Sequence, residues 1–484
     1  MTERTLSVGD PRIDEPATTR ERPGLVLTIL VTCQLMLILD VTVMNVALPR
    51  IQANLRFTPT GLSWVIDAYT LVFGGLLLLG GRAGDLFGRR RLFIIGIAVF
   101  TIGSLAGGLA TSSGWLLAAR VVQGVGAAAA GPNTLALITT TFTEPMRRIR
   151  ALAVFSGMSS GGFAIGLMLG GLLTQLTSWR AVLFINVPIG IAIVGLALRF
   201  LAEPARHAGR LDLPGAVTGT VGVGSLVYGF IRAGSVGWGD RITVAAIVLG
   251  LVVLAAFLAI EMRARQPVMP LRLFANRDRA AAYLNFFLGP MAMMSMFFFL
   301  TQFMQEIRGL SPVNTGFAFL PMAALLFGMT RLIPSLLPRF GPKPLALIGT
   351  ALMASGLIWL TQITADSGYF PGLFGPLALL GIGGGLAFAP LNVVVMATVG
   401  PADAGAAGGV LQTLQNLGTT VGLAVLVTVF GTASRHAASN GATPRIALVS
   451  GMTSAWSVAV VFAVATFLVA LTFRRRSAVP ATAT

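Results

Sequence analysis

The chain has 484 residues, 55% of them hydrophobic and only 11% charged, with a mean hydropathy of +0.83. A soluble domain carries roughly 25% charged residues, so a water-exposed globule is excluded. The formal net charge of +17 would suggest nucleic acid on a soluble chain, but its placement along this chain gives it another meaning.

Apolar runs long enough to cross a hydrocarbon core of about 30 Å occur at 25–48, 61–80, 92–111, 114–138, 152–175, 181–201, 214–233, 242–261, 281–304, 315–336, 344–364, 372–398, 405–430 and 449–472. They predict an all-α polytopic membrane protein with fourteen transmembrane helices and short connections. Residues 1–24 are polar and charged and are expected to form a disordered cytoplasmic tail. No small-residue cleavage site follows the first run, which therefore reads as an uncleaved span. Residues 473–484 form a second tail.

Basic residues set the orientation. The tails and even-numbered connections hold 24 of the 34 Lys and Arg, the odd-numbered connections hold 8, and Arg120 and Arg331 lie within spans. Both termini are thus expected in the cytoplasm, with the protein in the cell membrane, and a nucleic-acid partner is not expected. Lys343 is the one lysine, and no G-x-x-x-x-G-K-[ST] loop surrounds it, so no phosphate-binding loop of that type is present. The single cysteine, Cys33, excludes a disulfide framework, and two histidines, His207 and His436, exclude a His-rich metal site. No metal or cofactor is expected, which leaves a proton gradient as the energy source.

The chain repeats itself. Gln52 to Pro59 after the first span aligns with Gln305 to Pro312 after the ninth, and at the same offset of 253 Gly88 falls on Gly341. Gly124-x-Gly126 aligns with Gly381-x-Gly383, and Gly162-x-x-x-Gly166 with Gly418-x-x-x-Gly422, at offsets of 257 and 256. The repeat is parallel and predicts a six-helix bundle over 25–201, two inserted linker helices over 214–261 and a second six-helix bundle over 281–472. Parallel halves with a site between them near the midplane suit alternating access.

Charges inside apolar spans cost free energy and mark function or a buried partner. Asp40 is flanked by Leu39 and Val41, eight residues before Leu48; Asp67 and Arg120 lie six residues into the second and fourth spans. Burial favours the neutral acid, whereas a nearby guanidinium favours the carboxylate. A carboxylate that alternates between these surroundings can load and release a proton, so Asp40, Asp67 and Arg120 are the proton-coupling candidates. A static ion pair is the plainer reading for Asp40, and Asp67 lies close enough to a helix end to reach water. Amides in spans supply neutral contacts: Gln34, Asn45, Gln123 and Asn133 in the first half, and Asn285, Asn392, Gln412, Gln415 and Asn416 in the second. The Met291 to Phe299 cluster offers an adaptable apolar wall, although most of it is read as facing lipid. Gly162, Gly166, Gly170 and Gly171 form a small-residue face that allows close helix packing.

These residues fall in ordered motifs, and the chain resembles the major facilitator superfamily in its fourteen-helix drug:proton antiporter branch. Leu39-Asp-Val-Thr-Val-Met-Asn-Val-Ala-Leu-Pro49 is similar to that branch's first-helix signature, and Gly81-Arg-Ala-Gly-Asp-Leu-Phe-Gly-Arg-Arg90 to its loop motif. The resemblance implies a gating role for Gly81, Asp85, Gly88, Arg89 and Arg90, with Asp85 pairing with arginines and helix ends to latch the outward-facing state. Arg120-x-x-Gln-Gly-x-Gly126 resembles the fourth-helix motif whose Arg is linked to proton transfer. Gly162-x-x-x-Gly166-x-x-x-Gly170-Gly171 resembles the fifth-helix antiporter motif, and Trp179-Arg180 through Gly190 the start of the sixth helix. The chain departs from the pattern at Leu167, where the motif has Pro, and at Pro338, which stands where the second half would repeat Asp85.

The implied protein is no enzyme. It is a monomeric secondary transporter in the lipid bilayer that exports hydrophobic or amphipathic, cationic drugs or antibiotics in exchange for protons. A transporter of one specific metabolite, exporter or importer, would use the same machinery. A membrane-embedded transferase is disfavoured because His207 and His436 lie in loops without a carboxylate cluster.

Overall fold

A computed structural model describes residues 23–204, 212–264, 267, 269, 271–397, 399 and 404–473. The tails at 1–22 and 474–484, and the loop holding His207, lie outside the described residues.

The first half comprises α1 (Pro23–Leu55), α2 (Trp64–Phe87), α3 (Arg89–Gly108), α4 (Ser113–Thr141), α5 (Pro145–Leu176), α6 (Ala181–Phe184) and α7 (Asn186–Phe200). Then come α8 (Leu213–Val236) and α9 (Arg241–Arg263). The second half comprises α10 (Arg277–Gln302), α11 (Pro312–Phe340), α12 (Pro342–Leu360), α13 (Phe374–Ala397), α14 (Ala404–Ser439) and α15 (Pro444–Leu471). The single turn α6 continues into α7, and the two form one span, Ala181–Phe200. Among the described residues, thirteen spans have the length and hydropathy to cross a membrane. The 32-residue α5, apolar over Gly162–Leu176, brings the long helices to the fourteen predicted.

Short polar connections start and stop these helices. Ser112, Ser311 and Thr443 accept backbone N–H bonds from Trp115, Asn314 and Ile446 at 3.3, 3.2 and 3.4 Å, capping α4, α11 and α15. Gly88 and Gly341 end the second helix of each half with φ of 109° and 73°, a region that favours glycine. This is the pair the internal alignment superposes.

The two halves also pack alike. In the first, Gly96 and Gly126 bring α3 and α4 into backbone contact; in the second, Gly349 and Gly383 do so for α12 and α13. Likewise α5 lies on α1 through Gly166 and Gly170, and α14 lies on α10 through Gly418 and Gly422. The fold is two parallel six-helix bundles with α8 and α9 inserted between them in sequence. The α8 helix touches both halves: Ser235 meets Thr60 at 2.6 Å, and Thr428 donates to Phe230 O at 2.5 Å.

Two features differ from the sequence reading. The first helix does not stop at Leu48, because Pro49 withholds only one N–H and α1 runs on to Leu55. Asp40 therefore lies near the middle of its helix. The Met291 to Phe299 cluster does not face lipid: Met296, Phe298 and Phe299 are sealed, and Met291 and Phe297 are buried. The reason is that α10 is packed by α13, α14 and α15 and by α1 of the other half.

Candidate proton-coupling site and transport path

Asp40, Arg120 and Gln123 meet in the middle of the first bundle. Arg120 Nη1 donates to Asp40 Oδ2 at 2.5 Å and to Gln123 Oε1 at 3.0 Å, and Arg120 Nε donates to Val65 O at 2.8 Å. The guanidinium lies 4.4 Å from the centre of the Tyr69 ring. Asp40 Oδ1 accepts from Gln123 Nε2 at 2.9 Å and from Asn186 Nδ2 at 3.0 Å. Gln123 Nε2 also donates to Ser104 Oγ at 2.8 Å. Asp40, Arg120 and Asn186 are each only 1% exposed. Taking two ions out of water costs several kcal/mol per ion unless they are paired and their remaining sites are bonded. Here α2, α3, α4 and α7 all supply partners to that end.

Local sequence explains the arrangement. Arg120 and Gln123 are three residues apart and share one face of α4. Gly103 lets α3 approach that face, since a Cβ there would stand 2.9 Å from Gln123. The ion pair joins Asp40 and Arg120, two of the three charged residues that the sequence singles out, and Gln123 belongs to the same cluster. Ser104 and Tyr69 were missed, and Asn186, part of the motif at the start of the sixth helix, was not read as a site residue. Asn186 is an amide in an apolar span, the signal that selected the other amides.

Asp67 behaves differently. It is fully buried near the start of α2, and neither carboxylate oxygen has a hydrogen-bond partner. The nearby Ser63 hydroxyl donates to Thr60 O at 3.2 Å. Asp67 thus does not reach water, and it stands apart from the hydrogen-bonded Asp40 cluster.

Comparison with known proteins places the chain in a family. The Major Facilitator Superfamily signature matches residues 30–423. The chain belongs to the Major Facilitator Superfamily. It is therefore a multi-pass membrane transporter of small molecules and not an enzyme. It is 41% identical to the puromycin resistance protein pur8 of Streptomyces alboniger over 91% of this chain and 88% of that protein. It is 42% identical to the cephamycin export protein CmcT of Amycolatopsis lactamdurans over 84% of each chain. Among solved structures, an auto-inhibited POT family peptide transporter superposes with a TM-score of 0.67 at 17% identity, covering 93% of this chain and 98% of the other. That likeness concerns the fold.

In the superfamily loop motif, Asp85 pairs with Arg89 at 2.8 Å within one turn. Arg90 Nη2 donates to Leu198 O at 2.5 Å, and the backbone N–H groups of Arg90 and Arg91 hold the Glu203 carboxylate at 3.0 and 3.2 Å. Gly88 makes room for that carboxylate, and Gly81 packs on Pro132. Glu203, seated on the N-terminus of α3, was not foreseen, although it is an acidic residue amid the basic rim. At the opposite end, Trp179 and Arg180 share Asn54 Oδ1 at 3.3 and 3.2 Å.

The glycines of α5 serve two contacts. Gly162, Gly166 and Gly170 face Leu35, Thr42 and Val43 of α1. Gly171 faces the other half, where a Cβ would stand 2.5 Å from Pro312 O of α11. Leu167, at the departure from the motif, is buried, and its carbonyl lies against Gly316.

The amides divide by environment. Asn45 Oδ1 accepts from Thr301 at 2.9 Å, and Gln305 donates to Val46 O at 2.9 Å, so α1 and α10 are bonded across the halves. Asn133 donates to Gly80 O and Ala129 O at 3.1 and 2.8 Å, tying α4 to α2. Asn285 Oδ1 and Asn416 Nδ2 are buried without a partner. Gln412 donates to Gln415 at 3.4 Å, Gln34 is half-buried, and Asn392 is exposed. On α10, Phe297 meets Phe163 of α5 edge-on with ring centres 5.1 Å apart and lies tilted against Phe319 of α11 at 5.4 Å.

Proposed function

We propose that this transporter exports hydrophobic or amphipathic, cationic drugs or antibiotics in exchange for protons. Similarity to puromycin resistance and cephamycin export proteins over most of the chain supports drug export. The observation that carries proton coupling is the sealed Asp40–Arg120 pair, whose members lie on different helices of one bundle.

With Asp40 ionised, Arg120 holds α1, α2 and α4 together through Asp40 and Val65 O. When Asp40 takes a proton, the pair loses its Coulomb attraction and Arg120 keeps its charge. The helices are then free to rearrange. Asp67 supplies a second carboxyl for proton exchange. Asn285 and Asn416, with their orphaned amide atoms, and the Phe163–Phe297–Phe319 wall are the substrate contacts of this reading; Gln34, Gln412, Gln415 and Asn392 line the approach. Asn45 and the Gly171 contact close the two halves on the side of the α1 C-terminus. Asp85, Arg89 and Arg90 form the gate on the opposite side. The six-helix bundles move about α8 as a monomer in the cell membrane, with both termini cytoplasmic.

Inside-out vesicles test this reading with a panel of ethidium, puromycin and a cephamycin. Efflux of several compounds that collapses with the pH gradient supports it. Transport of one saturable metabolite, or efflux indifferent to the gradient, overturns it.

A further inference from the structure

Asp40 is bonded on both oxygens, and the donors are not equivalent. Oδ2 takes the guanidinium, whereas Oδ1 takes two neutral amides, Gln123 and Asn186. The Gln123 amide is fixed at both ends: its Oε1 accepts from Arg120, and its Nε2 donates to Ser104, whose own hydroxyl proton goes to Phe100 O at 2.9 Å. Turning it would set N–H against the guanidinium. Among the described residues, Asp40 is the one side-chain partner of Asn186. Asn186 is the first residue of α7, directly after the turn α6, so its donor comes from a helix outside the α1–α4 ion pair.

We propose that Asn186 is the positioning residue that sets how readily Asp40 takes up its proton. This rests on the proton-coupling reading above. In the ionised state its Nδ2–H stabilises the Oδ1 charge. When Oδ1 gains a proton, the acid must donate instead of accept. Asn186 turns about its Cβ–Cγ bond and presents its own Oδ1 to the new O–H. No bond other than the O–H forms, and the proton comes from water on whichever side the site is open to. A bond to a charged acceptor is about twice as strong as a neutral one, so the net effect of Asn186 is to favour the ionised form.

Few other charges bear on Asp40. They are Arg120 of α4, which bonds Asp40 directly, and Tyr69 of α2, which feels the Asp40 charge; Asp67, Arg82 and Asp85 are the other ionisable residues of α2, and Cys33 and Arg50 those of α1 itself. From the other neighbours, the ionisable residues are Arg147, Arg148 and Arg150 of α5, Arg180 before α6, Arg199 of α7, Arg277, Asp278, Arg279 and Tyr283 of α10, and Arg331 within and Arg339 at the end of α11.

The test is the pH profile of ethidium efflux from proteoliposomes holding the full chain, with wild type, Asn186→Leu, Asn186→Asp and Asp40→Asn compared. Asn186→Leu removes the donor, so half-maximal transport is expected at a proton concentration about three- to tenfold lower. The near-isosteric Asn186→Asp keeps the shape and places a second carboxyl beside Asp40. Its midpoint is expected to move further in the same direction, by more than about tenfold. Reduced amplitude with an unmoved midpoint in the Asp variant means that Asn186 only packs, and overturns the proposal. A wild-type pH profile in Asp40→Asn would instead remove the underlying reading, so the two failures are distinguishable.

Discussion

The guanidinium of Arg120 on α4 meets the carboxylate of Asp40 on α1 at 2.5 Å, with both side chains closed to solvent. Removing one member leaves the other as an uncompensated buried charge. Arg120→Ala is therefore expected to destabilise the protein in detergent by about 3–5 kcal/mol. The same change in an Asp40→Asn background should cost clearly less, because no orphaned carboxylate remains. Thermal unfolding of the two single variants and the double variant measures this coupling, and strictly additive effects would contradict the pair.

Gly171 of α5 closes one seam between the halves by lying against Pro312 O of α11. Gly171→Val is expected to force that seam apart and to lower transport at least tenfold. Since Cys33 and Leu167 are both buried, the cysteine added by Leu167→Cys reports the opening. Maleimide labelling at 167 should rise in the Gly171→Val background; unchanged labelling with normal transport would contradict the seam.

Asp67 holds two buried oxygens without a hydrogen-bond partner. An unsatisfied buried polar group costs roughly 1–3 kcal/mol. Asp67→Asn removes the ionisable group at nearly constant volume, so melting is expected to rise or hold while protons exchanged per ethidium fall. Lost stability with unchanged proton counting would assign Asp67 a purely structural role.

The turn between α8 and α9 supplies a pH control. Asp240 accepts from Arg232 at 2.6 Å and caps α9 through Thr243 N at 3.0 Å, and these bonds hold its carboxyl at about 2, below the usual 3.8. A depressed carboxyl contributes stability that is present above its ordinary titration range and is lost only as pH falls through the lowered value. Between about pH 5 and about pH 8 this pair stays ionised. Asp240→Asn is accordingly expected to leave the pH midpoint of transport unmoved, and a shifted midpoint would move proton coupling away from Asp40.

Much of this was legible in the sequence, because a bilayer makes polarity expensive. Asp40 and Arg120 stand out in apolar runs, and the offset between Gly88 and Gly341 exposes the duplication before any helix is built. What escaped depends on which helices touch. Asn186 shares no local spacing with Asp40, 146 residues away; only the packing of α7 on α1 joins them. The burial of Phe298 and Phe299 escaped for the same reason, since an apolar side chain suits lipid and protein equally and the α10 environment decides. Asp67, judged by its distance from a helix end, was read as able to reach water, yet neighbouring helices cover it.

Asp40 is proposed to carry the coupling proton. The most direct measurement of this role is ethidium transport driven by an imposed pH gradient in proteoliposomes, comparing wild type with Asp40→Asn. Asp40→Asn is expected to fold and to bind and equilibrate ethidium but no longer to accumulate it against its gradient. Undiminished gradient-driven accumulation by Asp40→Asn would contradict it.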